Sequence, residues 1–251
     1  TSHFRKSHFI LNVFIQFGGL KMEITWLGHS GFKIKIASLS FLIDPWLKNN
    51  PIFPQNKTDE ALKDVSYCLI SHAHDDHAKD ALDLAEKRDI TLVGMYDYMT
   101  YIESIKKINC IGFNRGGTIK IGPIEITMVS ASHSSSFTNE DGIAYGGSEA
   151  GYMISYDGRT IYFSGDTDIM ADMEWFGELH NPEIGILSAG GHFTMNMSRA
   201  AFAAKKYFNF KTLIPCHFKT FPILEQSAQY LIESLPDVNV IEPKVLKTIL
   251  L

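Results

Sequence analysis

The sequence predicts a single-domain α/β protein built as a four-layer αββα sandwich, with two β-sheets face to face and helices on their outer faces. Three observations carry that expectation. Short β-rich runs recur in both halves of the chain, several of them followed by helix-forming segments. The run His72-Ala73-His74-Asp75-Asp76-His77 stands between a strand pattern and a helix pattern. Three more metal-capable side chains, His133, Asp166 and His217, each stand just past a β-rich run. In sheet proteins with helices outside, ligand sites collect at the carboxyl ends of the strands. Two β-rich halves that both deliver ligand types to strand ends therefore share one edge and one site.

The elements follow in order. Residues 23–27 and 32–37 read as strands around the Gly28-His29-Ser30-Gly31 turn, and 40–43 as a third ending at Asp44-Pro45. Val65 to Ser71 is apolar almost throughout and leads into His72. Residues 78–88 are strong helix formers, which puts Asp76 and His77 at a helix N-terminus where the dipole favours a carboxylate. A further helix is expected around residue 97, with Tyr96, Tyr98 and Tyr101 as packing residues. In the second half, 124–129 leads to Ser132-His133-Ser134. Strands 152–156 and 160–164 flank Asp157-Gly158, a strong hairpin signal, and end at Gly165-Asp166-Thr167. Residues 184–189 lead to Gly190-Gly191-His192, and 212–216 to His217. Helices are expected at 198–208, capped by Ser198, and at 223–235 after Pro222, with Ile223, Leu224, Ala228, Leu231, Ile232 and Leu235 on one side.

Composition bounds the function. A chain of 251 residues that is 45% hydrophobic and 20% charged is an ordinary globular composition with ample core. A net charge of -5 and a pI near 6.0 give no basic field for nucleic acid. Three widely spaced cysteines without a CxxC pair read as reduced thiols, which points to the cytoplasm. Residues 1–21 carry Arg5, Lys6 and Lys21 and an apolar stretch from Phe9 to Phe17, interrupted by Asn12 and Gln16. The stretch is too short to span a bilayer, which takes about 20 residues, and no small-residue cleavage site follows it. The expected natural start is Met22, with 1–21 an upstream extension and 22–251 the one folded domain.

Imidazole nitrogens and carboxylate oxygens are the donors that zinc and similar cations take. Clustered imidazoles pack poorly, so His72, His74, Asp76 and His77 within six residues, joined by His133, Asp166 and His217, read as a two-metal hydrolytic site. Two cations about 3.5–4 Å apart can share a water and lower its pKa toward ~7, so that hydroxide attacks at neutral pH without a protein nucleophile. Ser134, Ser135 and Ser136 are accordingly read as hydrogen-bonding support, with Ser134 beside a ligand. Asp76 is a ligand that also orients the hydroxide. His192, after two glycines that admit close backbone approach, is read as a donor to the developing oxyanion or the leaving group. His29, in its glycine-bounded turn, either supports the ligands or is structural. Asp44 is read as structural, Cys216 as an inert thiol turned away from the metals, and His180 as surface.

The motifs resemble those of the metallo-β-lactamase superfamily. The His-x-His-x-Asp-His signature is present, with His133, Asp166 and His217 following in the superfamily's order. The resemblance covers residues 22 to about 245 and is also carried by Trp26-Leu27-Gly28-His29-Ser30, His133-Ser134-Ser135-Ser136, Gly165-Asp166-Thr167, Gly190-Gly191-His192-Phe193-Thr194-Met195 and Ile214-Pro215-Cys216-His217-Phe218. It is similar to a branch known only as metal-dependent hydrolases, related to ascorbate-phosphate lactonase and to phospholipase-D-type enzymes acting on N-acyl lipids. The resemblance implies that His72, His74 and His133 hold one metal, that Asp76, His77 and His217 hold the second, and that Asp166 bridges them. Zinc is the expected metal, with manganese and iron accepted by the same donors.

The leading expectation is a hydrolase of a small ester, lactone or phosphodiester. Two alternatives stand beside it. One is an iron oxygenase of the same fold; its diiron members usually carry Glu where this chain has His74 and add a flavodoxin-like domain, which leaves a mono-iron sulfur dioxygenase. The other is a non-catalytic binding protein. A small-molecule substrate, no nucleic acid, no transmembrane segment and room for a homo-oligomer complete the expectations.

Overall fold

The structure is a computed structural model and describes residues 21–251. The expectation for residues 1–21 therefore falls, apart from Lys21, outside the described residues. The first sheet takes β1 (Met22–Gly28), β2 (Gly31–Ile36), β3 (Leu39–Ile43), β4 (Val65–Ile70), β5 (Thr91–Met95) and β6 (Cys110–Phe113) in sequence order. The second takes β7 (Thr118–Ile121) and β8 (Ile124–Ser130) and, beyond a separate hairpin of β9 (Ser136–Asn139) and β10 (Gly142–Tyr145), β11 (Ala150–Tyr156), β12 (Arg159–Phe163), β13 (Ile184–Ser188), β14 (Thr212–Cys216) and β15 (Asn239–Val240). The C-terminal β16 (Thr248–Leu250) returns to the first sheet and pairs antiparallel with β1. Among the described residues each large sheet has seven strands.

Alternation builds the layer between the sheets. Phe32, Ile34 and Ile36 of β2 are buried while Lys33 and Lys35 look outward, and Lys35 reaches Glu23 of β1 at 3.3 Å. The inward residues of both sheets form one core, in which Trp26, Phe32 and Phe41 share a cluster with Met128, Tyr152 and Ile186. The outer face of the first sheet is covered by α2 (Asp75–Arg88) and α3 (Tyr96–Ile105), which follow the short α1 (Thr58–Ala61); Ala78, Ala81 and Met99 pack there against Leu42, Cys68 and Leu92. The second sheet is covered by α4 (Met173–His180), α5 (Met197–Tyr207) and α6 (Gln229–Ser234), with Phe176, Ala200 and Leu231 facing inward. This is the expected four-layer arrangement in one domain. No helix among the described residues is long and apolar enough to cross a membrane.

The strands β3 to β6 run parallel, as do β12 to β15, so their carboxyl ends line up. That alignment turns ligands distant in sequence into neighbours in space.

Three local expectations differ from the structure. The cap of α5 is Asn196, whose side chain accepts from Arg199 N; Ser198 instead donates to Asn196 at 2.9 Å. The helix expected at 223–235 is only Gln229–Ser234. Residues before it are held elsewhere, because Glu225 N donates to Gly190 O and Gln226 Nε2 to the carbonyls of Phe221 and Leu224. Ile223 is consequently 59% exposed and Ile232 39%, outside the packed side of that segment. His180 is half-buried, and burial lowers its pKa.

At the β11–β12 hairpin, Asp157 and Gly158 both take positive φ, 47° and 77°, the conformation the Asp-Gly pair favours. A Cβ on Gly158 would meet nothing within 4 Å. Gly158→Ala should therefore cost only the backbone penalty, about 1 kcal/mol of unfolding free energy with activity unchanged, read by urea denaturation. A neutral or stabilising result would contradict the turn geometry.

Candidate metal centre

Six strand ends converge on one point. Asp44 follows β3, His72 follows β4, His133 follows β8, Asp166 follows β12 and His217 follows β14, while β13 delivers Gly190. His74, Asp76 and His77 come from the first turn of α2 and the residue before it. The structure brings all seven expected ligand residues together. His72, His74 and His133 present donor atoms within 4.8 Å of one another, and so do Asp76, His77 and His217 together with His29. Asp166 lies between the groups: its Oδ2 is 3.0 Å from His217 Nε2, 3.2 Å from His77 Nε2 and 3.8 Å from His133 Nε2. Asp76 Oδ2 is 3.5 Å from His77 Nε2.

Backbone conformation holds these positions. Gly165 has φ 59°, and a Cβ there would collide with the Ala150 carbonyl oxygen. A Cβ on Gly190 would collide with the carbonyl oxygen of His217. The left-handed region is also taken by His29, Asp44 and His217, a conformation that costs about 1–3 kcal/mol at each non-glycine residue and persists only where surroundings enforce it. Here His29 O accepts from both Trp26 Nε1 and His217 N.

A relay behind the cluster sets the tautomers. Asp44, fully buried, accepts from Ser71 N at 2.7 Å and from the Ser71 hydroxyl. Ser71 Oγ therefore accepts from His72 Nδ1 at 2.9 Å, and Asp44 Oδ2 accepts from His77 Nδ1 at 2.8 Å. Both imidazoles are left with Nε2 turned to the cluster, the arrangement a metal ligand needs. His29 lies one step further out. Its Nε2 donates to Asp76 at 3.0 Å, since a carboxylate can only accept, and its Nδ1 takes a hydrogen bond from Thr220 at 2.9 Å. Ser134 Oγ stands 3.4 Å from His74 Nε2. The structure does not bring His192 to the cluster; it is exposed, with its ring edge-on to Phe193.

The electrostatics separate the groups. Burial pushes His72 well below its ordinary range and lowers His74 and His133. Burial and the neighbouring His217 bring His29 down to about 4. Burial would also lower His77, but Asp166, Asp76 and Asp44 outweigh it and hold the imidazole well above its ordinary value. Burial would raise Asp166 and Asp76, yet the imidazoles around them, His217 and His77 for Asp166 and His77 and His29 for Asp76, keep both well below the carboxylate range. The buried Nε2 of His77, although close to two carboxylates, makes no well-angled hydrogen bond. An unspent nitrogen among ionised carboxylates and neutral imidazoles fits a divalent cation. Cys216 is buried and its thiol is pushed up by burial.

The cluster opens into a cavity of about 410 Å³, lined on the metal side by His74, His133 and Asp166 and on the other by Trp46, Phe193 and Phe221. Sequence reasoning missed these three rings. Phe193 lay inside a quoted motif, whereas Trp46 and Phe221 gave no signal beyond being aromatic in loops.

The beta-lactamase superfamily domain pattern matches residues 40–218. A UPF0173 metal-dependent hydrolase of Cereibacter sphaeroides is 57% identical over 225 residues, covering 90% of this chain and 98% of the relative. One from Paracoccus denitrificans is 54% identical over 228 residues, covering 91% and 99%. Among solved structures, Igni18, a metallo hydrolase from Ignicoccus hospitalis, superposes with a TM-score of 0.79 at 28% identity, covering 92% of this chain and 98% of that one. The chain belongs to the beta-lactamase superfamily, in the UPF0173 family of metal-dependent hydrolases.

Two predictions follow from the relay and the charges. Asp44→Asn places an amide N–H₂ where His77 and Ser71 need an acceptor, and should weaken metal affinity about 10–100-fold, measured by competition with a chelating dye. Unchanged affinity would remove Asp44 from the site. Separately, the carboxylates around His77 favour a proton on it in the metal-free chain, one that a cation at Nε2 must displace, whereas burial disfavours the charged forms of His72, His74 and His133. Loading at pH 7 should release about one proton, and affinity should fall as pH drops below the raised His77 value. Calorimetry in two buffers of different ionisation enthalpy reads this, and identical heats would contradict it.

Proposed function

We propose that the chain is a dinuclear metal hydrolase that cleaves an ester, lactone or phosphodiester bond of a small substrate. The observation that carries this reading is Asp166 Oδ2, set among the Nε2 atoms of His77, His133 and His217 beside an open cavity. His72, His74 and His133 would hold one cation, Asp76, His77 and His217 the other, and Asp166 both. Two divalent cations bound there, zinc in preference to manganese or iron, would acidify a water and polarise the scissile bond.

The chain's own groups do the rest. Asp76, with its side chain 36% exposed, is held ionised and so acts as an acceptor that orients a water at the cavity side. His29 fixes the Asp76 carboxylate from behind and, being neutral, adds no charge of its own. Ser134 steadies His74. Trp46, Phe193 and Phe221 reduce the water around the bond to be cut. We place the protein in the cytoplasm on the strength of its three free cysteines.

Elemental mass spectrometry of the purified protein should find about two zinc or manganese ions per chain. Asp166→Asn and His74→Ala should each abolish hydrolysis while far-ultraviolet circular dichroism stays that of the native chain. One iron per chain, or wild-type turnover by either variant, would overturn the dinuclear hydrolase.

A further inference from the structure

The cavity wall opposite the metal ligands has a chemical character of its own. Phe193 is 53% exposed and Phe221 37%, although both border the site. Clustered exposed rings mark a surface that something else covers. Trp46 and Phe221 lie with ring centroids 5.7 Å apart, and Trp46 meets His29 edge-on at 5.2 Å. Phe193 approaches from another direction, 6.3 Å from His217.

The wall is preformed. Asp80, one helical turn after Asp76, accepts from the backbone N–H groups of Leu47 and Lys48, both at 2.6 Å. Asn50 Nδ2 donates to Trp46 O at 2.8 Å, and the indole N–H of Trp46 is spent on Lys48 O at 3.0 Å. Phe221 O accepts from Leu224 N and Gln226 Nε2. A wall already ordered costs little to bind against.

Charge points the same way. Among the described residues lining the cavity there is no Lys or Arg. The groove that continues past Trp46 carries Asp75, Asp76, Asp80 and Asp83 against Lys48 and Lys79, and Lys79 reaches toward Asp75 at 3.4 Å. Lys219, two residues before Phe221, is engaged by Glu242. Two cations would themselves attract a phosphodiester's charge, but the side chains that single out such a group from a neutral one are cationic, above all bidentate arginine. This mouth offers aromatic faces and a negative flank instead.

We propose that Trp46, Phe193 and Phe221 form the recognition wall for an uncharged substrate bearing an aromatic or extended apolar group, so that the bond cleaved is a neutral ester or lactone. The inference rests on the hydrolase reading for the bond and on the wall alone for the group. Hydrolysis adds water across the acyl C–O bond: the oxygen of water joins the acyl carbon, and the departing oxygen takes a proton to leave as an alcohol. In a lactone, that alcohol stays on the same molecule as the new carboxylate.

The test compares ethyl 3-phenylpropanoate with ethyl propanoate on the metal-loaded enzyme, a pair with the same leaving group that differs only in the phenyl ring. Wild-type kcat/KM should favour the phenyl ester by at least about tenfold, and Trp46→Ala and Phe221→Ala should each bring the ratio to within about twofold. Because both substrates are read on the same preparation, partial loss of folded protein cancels. Equal kcat/KM for the two esters in the wild type, an unchanged ratio in the variants, or preferred cleavage of the anionic methyl phenyl phosphate would overturn the proposal. Saturation-transfer NMR with 3-phenylpropanamide, uncharged and unreactive, separates the two readings. Binding that weakens in Trp46→Ala supports the wall even if no ester is cleaved, a result that would count against the hydrolase reading alone. Absence of Trp46-dependent binding overturns the wall.

Discussion

The hydrogen-bonded carboxylate of Asp44 is the constraint on which the rest of the site depends. Asp44 is wholly out of contact with water and would be costly there without partners. Its partners are the Ser71 backbone, the Ser71 hydroxyl and His77, so its carboxylate is satisfied by groups that also position or form candidate metal ligands. One side chain thereby fixes the tautomer of His72 in one candidate ligand set and of His77 in the other. It reaches both because β3 and β4 are adjacent parallel strands, which put residue 44 beside residue 71. The strained φ of Asp44 is tolerated because three donors enforce it.

The two sheets contribute unequally. The first supplies the dense local motif and its supporting relay; the second supplies single residues at the tips of β8, β12 and β14. His29 ties the two together, since its carbonyl takes the backbone N–H of His217 while its ring takes Asp76. The metal centre is therefore also a seam between sheets, and a cation there would add stability by binding only the folded chain.

Much of this was legible in the chain. Strands β1 to β4, β8 and β11 to β14 are apolar or regularly alternating runs, and the polar residues past β4, β8, β12 and β14 named the seven candidate ligand residues before any geometry was known. The strands that escaped, β5, β6, β7, β9, β10, β15 and β16, are two to five residues long, and Gly94 and Gly112 further blur the pattern in β5 and β6. Asn196 and Ser198 are equally good caps by type, and only the position of Arg199 N decides between them. The role of Asp44 was hidden because nothing local says that a residue before Pro45 will sit beside Ser71. The aromatic wall was hidden for a related reason: Trp46 and Phe221 belong to loops whose course is set by distant anchors, Asp80 and Gly190 among them.

The anchorage of the Trp46 loop on Asp80 has a mechanical meaning. Asp76 and His77 stand on the first turn of α2 and Asp80 on the next, along a stiff rod whose buried face, Ala78, Ala81 and Ala85, packs on the first sheet. The candidate metal ligands and the proposed substrate wall thus share one lever arm. A change that loosens residues 46–50 would let the wall drift relative to the reacting bond, and misalignment of that kind slows turnover as well as weakening binding. The Phe193 side is tied differently, through Gly190 against His217 and Met195 N on Thr167 O, so the two halves of the wall take their register from opposite sheets.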